Sequence, residues 1–319
     1  MNSKTMLAAF VTFSAVSMTY AAEPAYPARS VRVLVGLAPG GGTDTVARVI
    51  TQKLSDLLGQ SFVVDNRPSA GGNVAGELAA RATPDGYTLI IVTPTHVVNP
   101  SLYKDLRYDA IKDFAPVVRI VDAQYFLSVA NTLPVASVAE LLAYAKSAPK
   151  PLSYASSGIG SANHLSGELF RTMSGINMVH VPYKGGAPAL NALVSGEVQV
   201  SFTSSAAIPH AKAGRLKTIA VTGAKRTPIA PNVPTINEAG VAGYEVVGWY
   251  GMAAPARTPR AVIDRLNATI NGVLPELKGR YESIGMDVAG GTPAEFGAFL
   301  RSEREKWARV VKISGAKVE

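Results

Sequence analysis

The chain has 319 residues, a formal net charge of +8 and no cysteine. The missing cysteine excludes disulfides, a thiol nucleophile, a thiolate metal site and a lipid-modified cysteine anchor. The basic charge is dispersed, and its densest run, Arg301 to Arg309, is interleaved with Glu303 and Glu305 as on a solvated helix face, so nucleic acid is not the expected partner.

The chain opens with Met1-Asn2-Ser3-Lys4, an apolar stretch from Met6 to Met18 and then Thr19-Tyr20-Ala21-Ala22, the pattern of a secretory signal peptide cleaved after Ala21 or Ala22. Its apolar core is too short for a stop-transfer helix, and no later segment approaches the roughly 20 apolar residues that spanning needs. The expectation is an exported periplasmic protein without a lipid anchor. About 300 mature residues exceed the usual single-core size, so two lobes are expected.

Strand-like and helix-like segments alternate from there on, which predicts an α/β protein of largely parallel sheets flanked by helices. Strands are expected around 31–36, 61–65 and 88–93, separated by helices around 43–58 and 72–82. Val46, Val49, Ile50, Leu54 and Leu57 give the first helix its apolar period. Strand-like runs at 116–121 and 126–129 carry the chain toward a second lobe, with a crossing near 121–125. Ser137 and Glu140 form a capping box for the next helix. Further segments are read at 152–155, 161–174, 178–182, 186–195, 198–203, 206–213 and 217–222. The proline-rich run from Pro228 to Pro234 reads as a surface loop. Tyr244 to Tyr250 reads as a strand returning to the first lobe, which helices at 258–273 and 292–312 complete. The resulting division is a signal peptide at 1–22, a discontinuous first lobe at 23–122 and 246–319, and a second lobe at 123–245.

Two glycine-rich turns lead from a strand into a helix, Pro39-Gly40-Gly41-Gly42-Thr43-Asp44 and Ser156-Ser157-Gly158-Ile159-Gly160-Ser161. A helix start has N–H groups without internal partners and a partial positive charge, so it holds a carboxylate or phosphate without lysine or arginine. Two such ends facing each other would form a clamp. Thr43 is read as the N-cap of its helix and Asp44 as a first-turn acid that orders the loop, an amino group on the ligand being its alternative partner. Ser161 is read as the second N-cap, with His164 placed either to reach back to the turn or to touch ligand. Thr93, Thr95, Ser156, Ser157, Ser204 and Ser205 lie at strand ends, where open parallel sheets collect ligands.

Catalytic signatures fail at the same residues. The first turn has Gly42 where a nucleotide P-loop needs lysine, and Thr43-Asp44-Thr45 follows the glycines where a dinucleotide fingerprint needs another spacing. The turn Gly158-Ile159-Gly160-Ser161-Ala162 is no nucleophile elbow. The four histidines, His96, His164, His180 and His210, show no metal-ligand spacing. Binding without chemistry, and with no cofactor or metal, is the reading that remains; a hydrolase of a small ester or amide in the same cleft is the alternative.

The chain resembles the Bug family, the periplasmic substrate-binding subunits of tripartite tricarboxylate transporters. The likeness runs from Tyr26-Pro27 to the final helix. It rests on Ala38 to Asp44, Asp65-Asn66-Arg67-Pro68 with Ala70-Gly71-Gly72, Pro84 to Leu89, Gly160-Ser161 with His164-Leu165, Val181 to Gly186, and Pro231 with Val233-Pro234-Thr235 and Glu238-Ala239-Gly240. The resemblance implies a two-lobed periplasmic-binding fold of the second type, the second lobe inserted into the first. It also implies a small organic anion held between Pro39–Asp44 and Ser157–Ser161, and adds Tyr183 to the candidate residues. The expected partner is a membrane permease made of other chains, with the receptor itself monomeric; a sensor that passes ligand state to a signalling partner is a further option. Gly36 and Leu37 depart from the proline and aromatic residue common before this turn in the family, which removes a flat contact for the ligand's far end.

Overall fold

A computed structural model describes residues 26–183 and 185–314. The expected signal peptide and Lys184 lie outside the described residues.

Three parallel strands form the first half of the N-terminal sheet: β1 (Val31–Val35), β2 (Phe62–Asn66) and β3 (Thr88–Val92), with β1 between the other two. Both faces of β1 are buried, Val31, Val33 and Val35 in one apolar cluster and Leu34 in another, as expected for a strand covered by helices on both sides. Helix α1 (Gly42–Leu58) joins β1 to β2 and buries Val46, Val49, Ile50 and Leu54 on one face. It ends at Gly59, whose left-handed backbone lets its N–H reach the Ser55 carbonyl at 3.1 Å. A single 3-10 turn, Ala70–Gly72, leads into α2 (Asn73–Ala80), and α3 (Pro94–Leu102) leaves the end of β3. The α3 helix was not anticipated; Pro94 stands at its start, where its missing N–H is harmless, and Pro100 lies inside it.

The long strand β4 (Phe114–Gln124) runs into Tyr125 and then β5 (Phe126–Ala130), which belongs to a different sheet. The chain builds that second sheet with α4 (Val138–Ser147), β6 (Leu152–Ser156), α5 (Ala162–Ser174), β7 (Met178–Pro182), α6 (Gly186–Ser195), β8 (Val200–Thr203), α7 (Ala207–Lys212) and β9 (Leu216–Val221). It returns through β10 (Val247–Pro255), α8 (Arg260–Glu282), β11 (Met286–Gly290) and α9 (Pro293–Ser314). The strand orders are β11-β4-β10-β3-β1-β2 and β7-β6-β8-β5-β9.

Both sheets are mixed. The parallel part of each is three strands, β2-β1-β3 and β7-β6-β8, whereas β4, β10, β11, β5 and β9 pair antiparallel. The antiparallel strands include those that carry the chain between sheets, since a strand leaving one sheet and a strand coming back lie naturally side by side in opposite directions. The two crossings are bonded to each other. Tyr125 N–H donates to Thr222 Oγ1 at 2.9 Å, Thr222 N–H to the Tyr125 carbonyl at 2.9 Å, and Val246 N–H to the Thr222 carbonyl at 2.8 Å.

Two elements exceed their sequence reading. Helix α8 continues past Pro275 because Leu274, Leu277 and Tyr281 are buried on the sheet, which outweighs the hydrogen bond the proline omits. Strand β11, at the sheet edge against β4, was missed in the short stretch between α8 and α9. The expected cap of α9 is present: Thr292 N–H donates to Glu295 Oε2 at 2.7 Å and Glu295 N–H to Thr292 Oγ1 at 3.2 Å. Helix α9 then packs on α3 and α5, and buried Glu303 accepts from the indole N–H of both Trp249, at 3.1 Å, and Trp307, at 2.9 Å.

Candidate functional site

The parallel strands of the first sheet all run toward one edge, and three helix starts meet there. A cavity of about 20 Å³ is lined by Thr43 in the first turn of α1, Gly71 and Gly72 before α2, and Thr93 and Thr95 at the start of α3, with Gly36, Leu37 and His96 beside them. No charged side chain lines it. This is the strand-end position at which open α/β sheets hold ligands, and helix starts supply its positive potential. The cavity itself has room for about one water, so an organic acid would rest over the exposed turn and send in no more than one oxygen.

The first turn is open. Residues 37–42 are exposed, while Thr43 and Asp44 are buried. Helix α1 is capped two residues earlier than expected: the N-cap is Gly41 in an extended conformation, not Thr43, and no side chain caps the helix. The N–H groups of Gly42, Thr43 and Asp44 are thereby left for an outside acceptor. Asp44 has other partners. Its Oδ2 accepts from Gly40 N–H at 2.9 Å and from Arg48 Nε at 2.8 Å, while Arg48 also reaches Asn66 Oδ1 and Asn66 Nδ2 reaches the Leu37 carbonyl. Burial alone would raise the Asp44 carboxyl, but hydrogen bonds from Arg48, Gly40 and Asn66 outweigh it and hold the group below the usual carboxylate range. The loop-ordering geometry is what the structure contains, with Pro39 at the exposed approach.

Thr93 and Thr95 share a hydrogen bond of 2.8 Å between their hydroxyls, which keeps both at the mouth of α3. Behind them His96 is buried, its Nε2 2.9 Å from the Ala110 carbonyl, and desolvation pushes its pKa down to about 4. It is a structural histidine.

The second turn is knitted together. Ser161 caps α5, its hydroxyl accepting from His164 N–H at 3.3 Å and donating to the Gly158 carbonyl at 2.6 Å. Gly160 N–H donates to His164 Nδ1 at 3.1 Å, so the side chain reaches back to the turn and takes that N–H out of reach of a ligand. Ser156 is fully buried; its hydroxyl lies 2.6 Å from His180 Nε2 and accepts from Gly158 N–H at 3.1 Å. Ser157 donates to Asn163 Oδ1 at 2.6 Å. The rings of His164 and His180 stack at 4.0 Å, and Tyr154 packs near both, 4.9 Å from His180 and 6.5 Å from His164. Desolvation lowers both imidazoles, to about 4 for His164 and about 3 for His180, and the neighbouring His164 lowers His180 further. A serine bonded to a histidine is the pairing a hydrolase would use. Here the serine is sealed, burial strips the histidine of basicity, and no carboxylate among the described residues bonds His180.

The remaining candidates are dispersed. Tyr183 flanks the second turn, its N–H on the Ser156 carbonyl at 2.9 Å and its hydroxyl on Glu197 at 2.7 Å, while exposed Ser204 accepts weakly from Ala206 N–H at 3.4 Å. None of residues 156–164, 183 or 204 lines the cavity at the first turn. The second turn instead meets the first sheet's helices at Leu102: a Cβ on Gly160 would lie 2.6 Å from Leu102 Cδ1. Leu102 is the last residue of α3, about 12 Å along the helix from the end that opens on the cavity. Gly71 and Gly72 were not among the candidate residues. Their signal was the Gly-Gly pair after the Asp65-Asn66-Arg67-Pro68 run, and both have positive φ, 62° and 74°, which puts the 3-10 turn's backbone against Gly36.

Two mixed sheets flanked by helices, joined by paired crossings and carrying an uncharged, N–H-rich strand-end site, define a solute-binding receptor of the periplasmic-binding class. The chain belongs to the tripartite tricarboxylate transporter family receptor group, whose family description matches residues 46–316. It is 32% identical to Protein BugT of Bordetella pertussis over 315 residues, covering 97% of this chain and 96% of that protein. Among solved structures it is similar to Rpa4515 of R. palustris with adipate, at 41% identity and a TM-score of 0.85 over 92% of this chain and 100% of that one. It is also similar to MatC (Rpa3494) from Rhodopseudomonas palustris with bound malate, at 33% identity and a TM-score of 0.80 over 90% and 100%. These are receptors, and the hydrolase alternative finds no support among them.

Proposed function

We propose that the protein captures a small organic dicarboxylate in the periplasm and delivers it to the membrane permease of a tripartite tricarboxylate-type transporter. The observation that carries this reading is the meeting of three helix starts on one site with no charged side chain in its lining. A carboxylate there is held by N–H groups of Gly42, Thr43 and Asp44 and by the hydroxyls at Thr93 and Thr95, with the partial positive charge of each helix start directed at it. Relatives that hold adipate and malate support an acid with a carboxylate at each end.

The lobes of this reading are residues 23–122 with 246–319, and residues 123–245, turning about the paired crossings at Tyr125 and Thr222. The second turn closes from the other lobe. Closure signals to the permease only where the closed form binds ligand more tightly than the open one, since equal affinity shifts nothing. Among the described residues no helix is long and apolar enough to cross a membrane, in keeping with a receptor that works beside a permease of other chains. The receptor acts as a monomer in this scheme.

Calorimetric titration of adipate, malate, citrate and nicotinate into the mature chain tests the reading, with the recovered ligand weighed by mass spectrometry. Saturable binding of a dicarboxylate and its intact recovery are expected. Binding of none of the acids, or conversion of one, overturns it.

A further inference from the structure

Strand β10 brings one side chain that no sequence motif singled out against the turn before α1, beside the cavity rather than in its lining. Its antiparallel register against β3 pairs Gly251 with Val92 and Met252 with Ile91, so Tyr250 comes level with Thr93 at the strand-end edge. From there its ring passes under the start of α1. A Cβ on Gly42, the first residue of that helix, would lie 2.7 Å from the Tyr250 hydroxyl oxygen and 3.5 Å from the ring carbon that bears it. The hydroxyl therefore sits against the same turn whose N–H groups are left open.

Tyr250 is half-buried and its hydroxyl makes no hydrogen bond to another described residue. The oxygen is not sealed from solvent, so an acid at the turn can reach it and take the place of the water that otherwise pairs it. Burial pushes its pKa up to about 12, so the phenol stays protonated and remains a donor at any periplasmic pH. Glycine at the first helical position is otherwise a poor choice for a helix. The near-contact supplies a reason for it, because any side chain at residue 42 would displace the phenol oxygen from the turn.

We propose that the Tyr250 hydroxyl is a further side-chain donor of the anion site, giving a bound carboxylate oxygen a hydrogen bond beside the N–H groups of the α1 start. This rests on the carboxylate reading above and names the residue that would distinguish an acid from its ester or amide. A phenol donating to a carboxylate makes a short, charge-assisted bond, stronger than one to a neutral carbonyl.

The test is titration of adipate and of malate into wild type, Tyr250→Phe, Gly42→Ala and the double variant, with thermal unfolding of each. Tyr250→Phe should weaken binding about 10- to 100-fold while the unfolding temperature changes little. Gly42→Ala should weaken binding too, because its methyl pushes the hydroxyl away. In the double variant the ring carbon sits at ordinary contact distance from that methyl, so affinity should match Tyr250→Phe alone rather than show both losses. Equal affinity of Tyr250→Phe and wild type, or losses that multiply in the double variant, overturns the role of Tyr250 and leaves the carboxylate reading intact. Wild type that binds neither acid overturns that reading and the tyrosine's role with it.

Discussion

The two glycine-rich turns use the same device and differ in what surrounds it. In each, the N–H of a positive-φ glycine donates to the side chain four residues on: Gly40 to Asp44 and Gly160 to His164. The first acceptor is a buried carboxylate in the first turn of α1, beneath an exposed loop and backed by Arg48, and the second a neutral imidazole packed against Tyr154 and His180. The exposed turn leaves the N–H groups of Gly42, Thr43 and Asp44 open, whereas at the second those of Ala162 and Asn163 stay open, the N–H groups of Gly158, Gly160, Ser161 and His164 being bonded within the turn. One turn thus leaves more of its donors open and the other uses more of them to hold its own shape, although the two read alike in sequence.

Removing the acceptors should separate them most. His164→Ala deletes a buried ring stacked on His180 and leaves Gly160 N–H unpaired, which should cost about 3 kcal/mol of folding stability. Asp44→Ala should cost about 1 kcal/mol, since water can replace its partners on an exposed loop. Urea unfolding of the two variants measures the difference; equal losses would mean the turns are equally buried in practice.

Next in size is the glycine itself. Gly160 and Gly40 have φ of 77° and 82°, so alanine at either pays the left-handed backbone cost of about 1 kcal/mol. Only at Gly160 does the new Cβ also meet Leu102, at 2.6 Å, whereas nothing lies within 4 Å of it at Gly40. Gly160→Ala should therefore lose about 2 kcal/mol and Gly40→Ala about 1 kcal/mol by the same unfolding assay.

Acid should find the second turn first. Burial lowers the pKa of His164 to about 4 and of His180 to about 3, both under the usual 6.5, so between those limits the unfolded chain binds more protons than the native one. Their contribution is complete above pH 6.5 and declines as pH falls through this window, by up to about 1.4 kcal/mol per pH unit for each ring. Asp44, held below the usual 3.8, keeps its contribution until the pH falls further. Asp122 runs the other way, raised by burial to about 6, and favours the fold as it protonates. The measurement is accordingly a difference: unfolding of wild type and His180→Phe from pH 7 to 4.5, in which the variant should show the shallower loss toward acid.

What was legible in the sequence follows from which signals are local. Apolar period, caps and the positions of Gly59, Ser137, Ser161 and Thr292 are written in neighbouring residues, and the alternation of elements identified the fold class from them. The contacts that decide the site are not local. Tyr250 reaches Gly42 only through the register of β10 on β3, and His180 reaches Ser156 only through the pairing of β7 with β6. Helix α3, which carries two prolines, was not read, and with it the surface at Leu102 that the second turn meets. Ser156, Ser157 and Gly160 looked like free polar groups because sequence shows donors and acceptors without showing that they are already paired.

The smallest expected effect on stability bears most directly on why the turns differ. Helix α5 is capped by Ser161, but α1 has Gly41 at the equivalent position and no cap. A serine there would be tolerated: Gly41 has an ordinary extended backbone, φ −81° and ψ 173°, and a new Cβ would meet nothing nearer than the Ala38 carbonyl at 3.6 Å. Its hydroxyl would accept from Thr43 or Asp44 N–H, so Gly41→Ser should raise stability by a few tenths of a kcal/mol. The same hydrogen bond would occupy a donor that the ligand carboxylate uses. The variant should therefore unfold slightly later and bind dicarboxylate more weakly, read by thermal unfolding beside calorimetric titration. A gain in both would show that the open N–H groups of α1 are not what holds the anion.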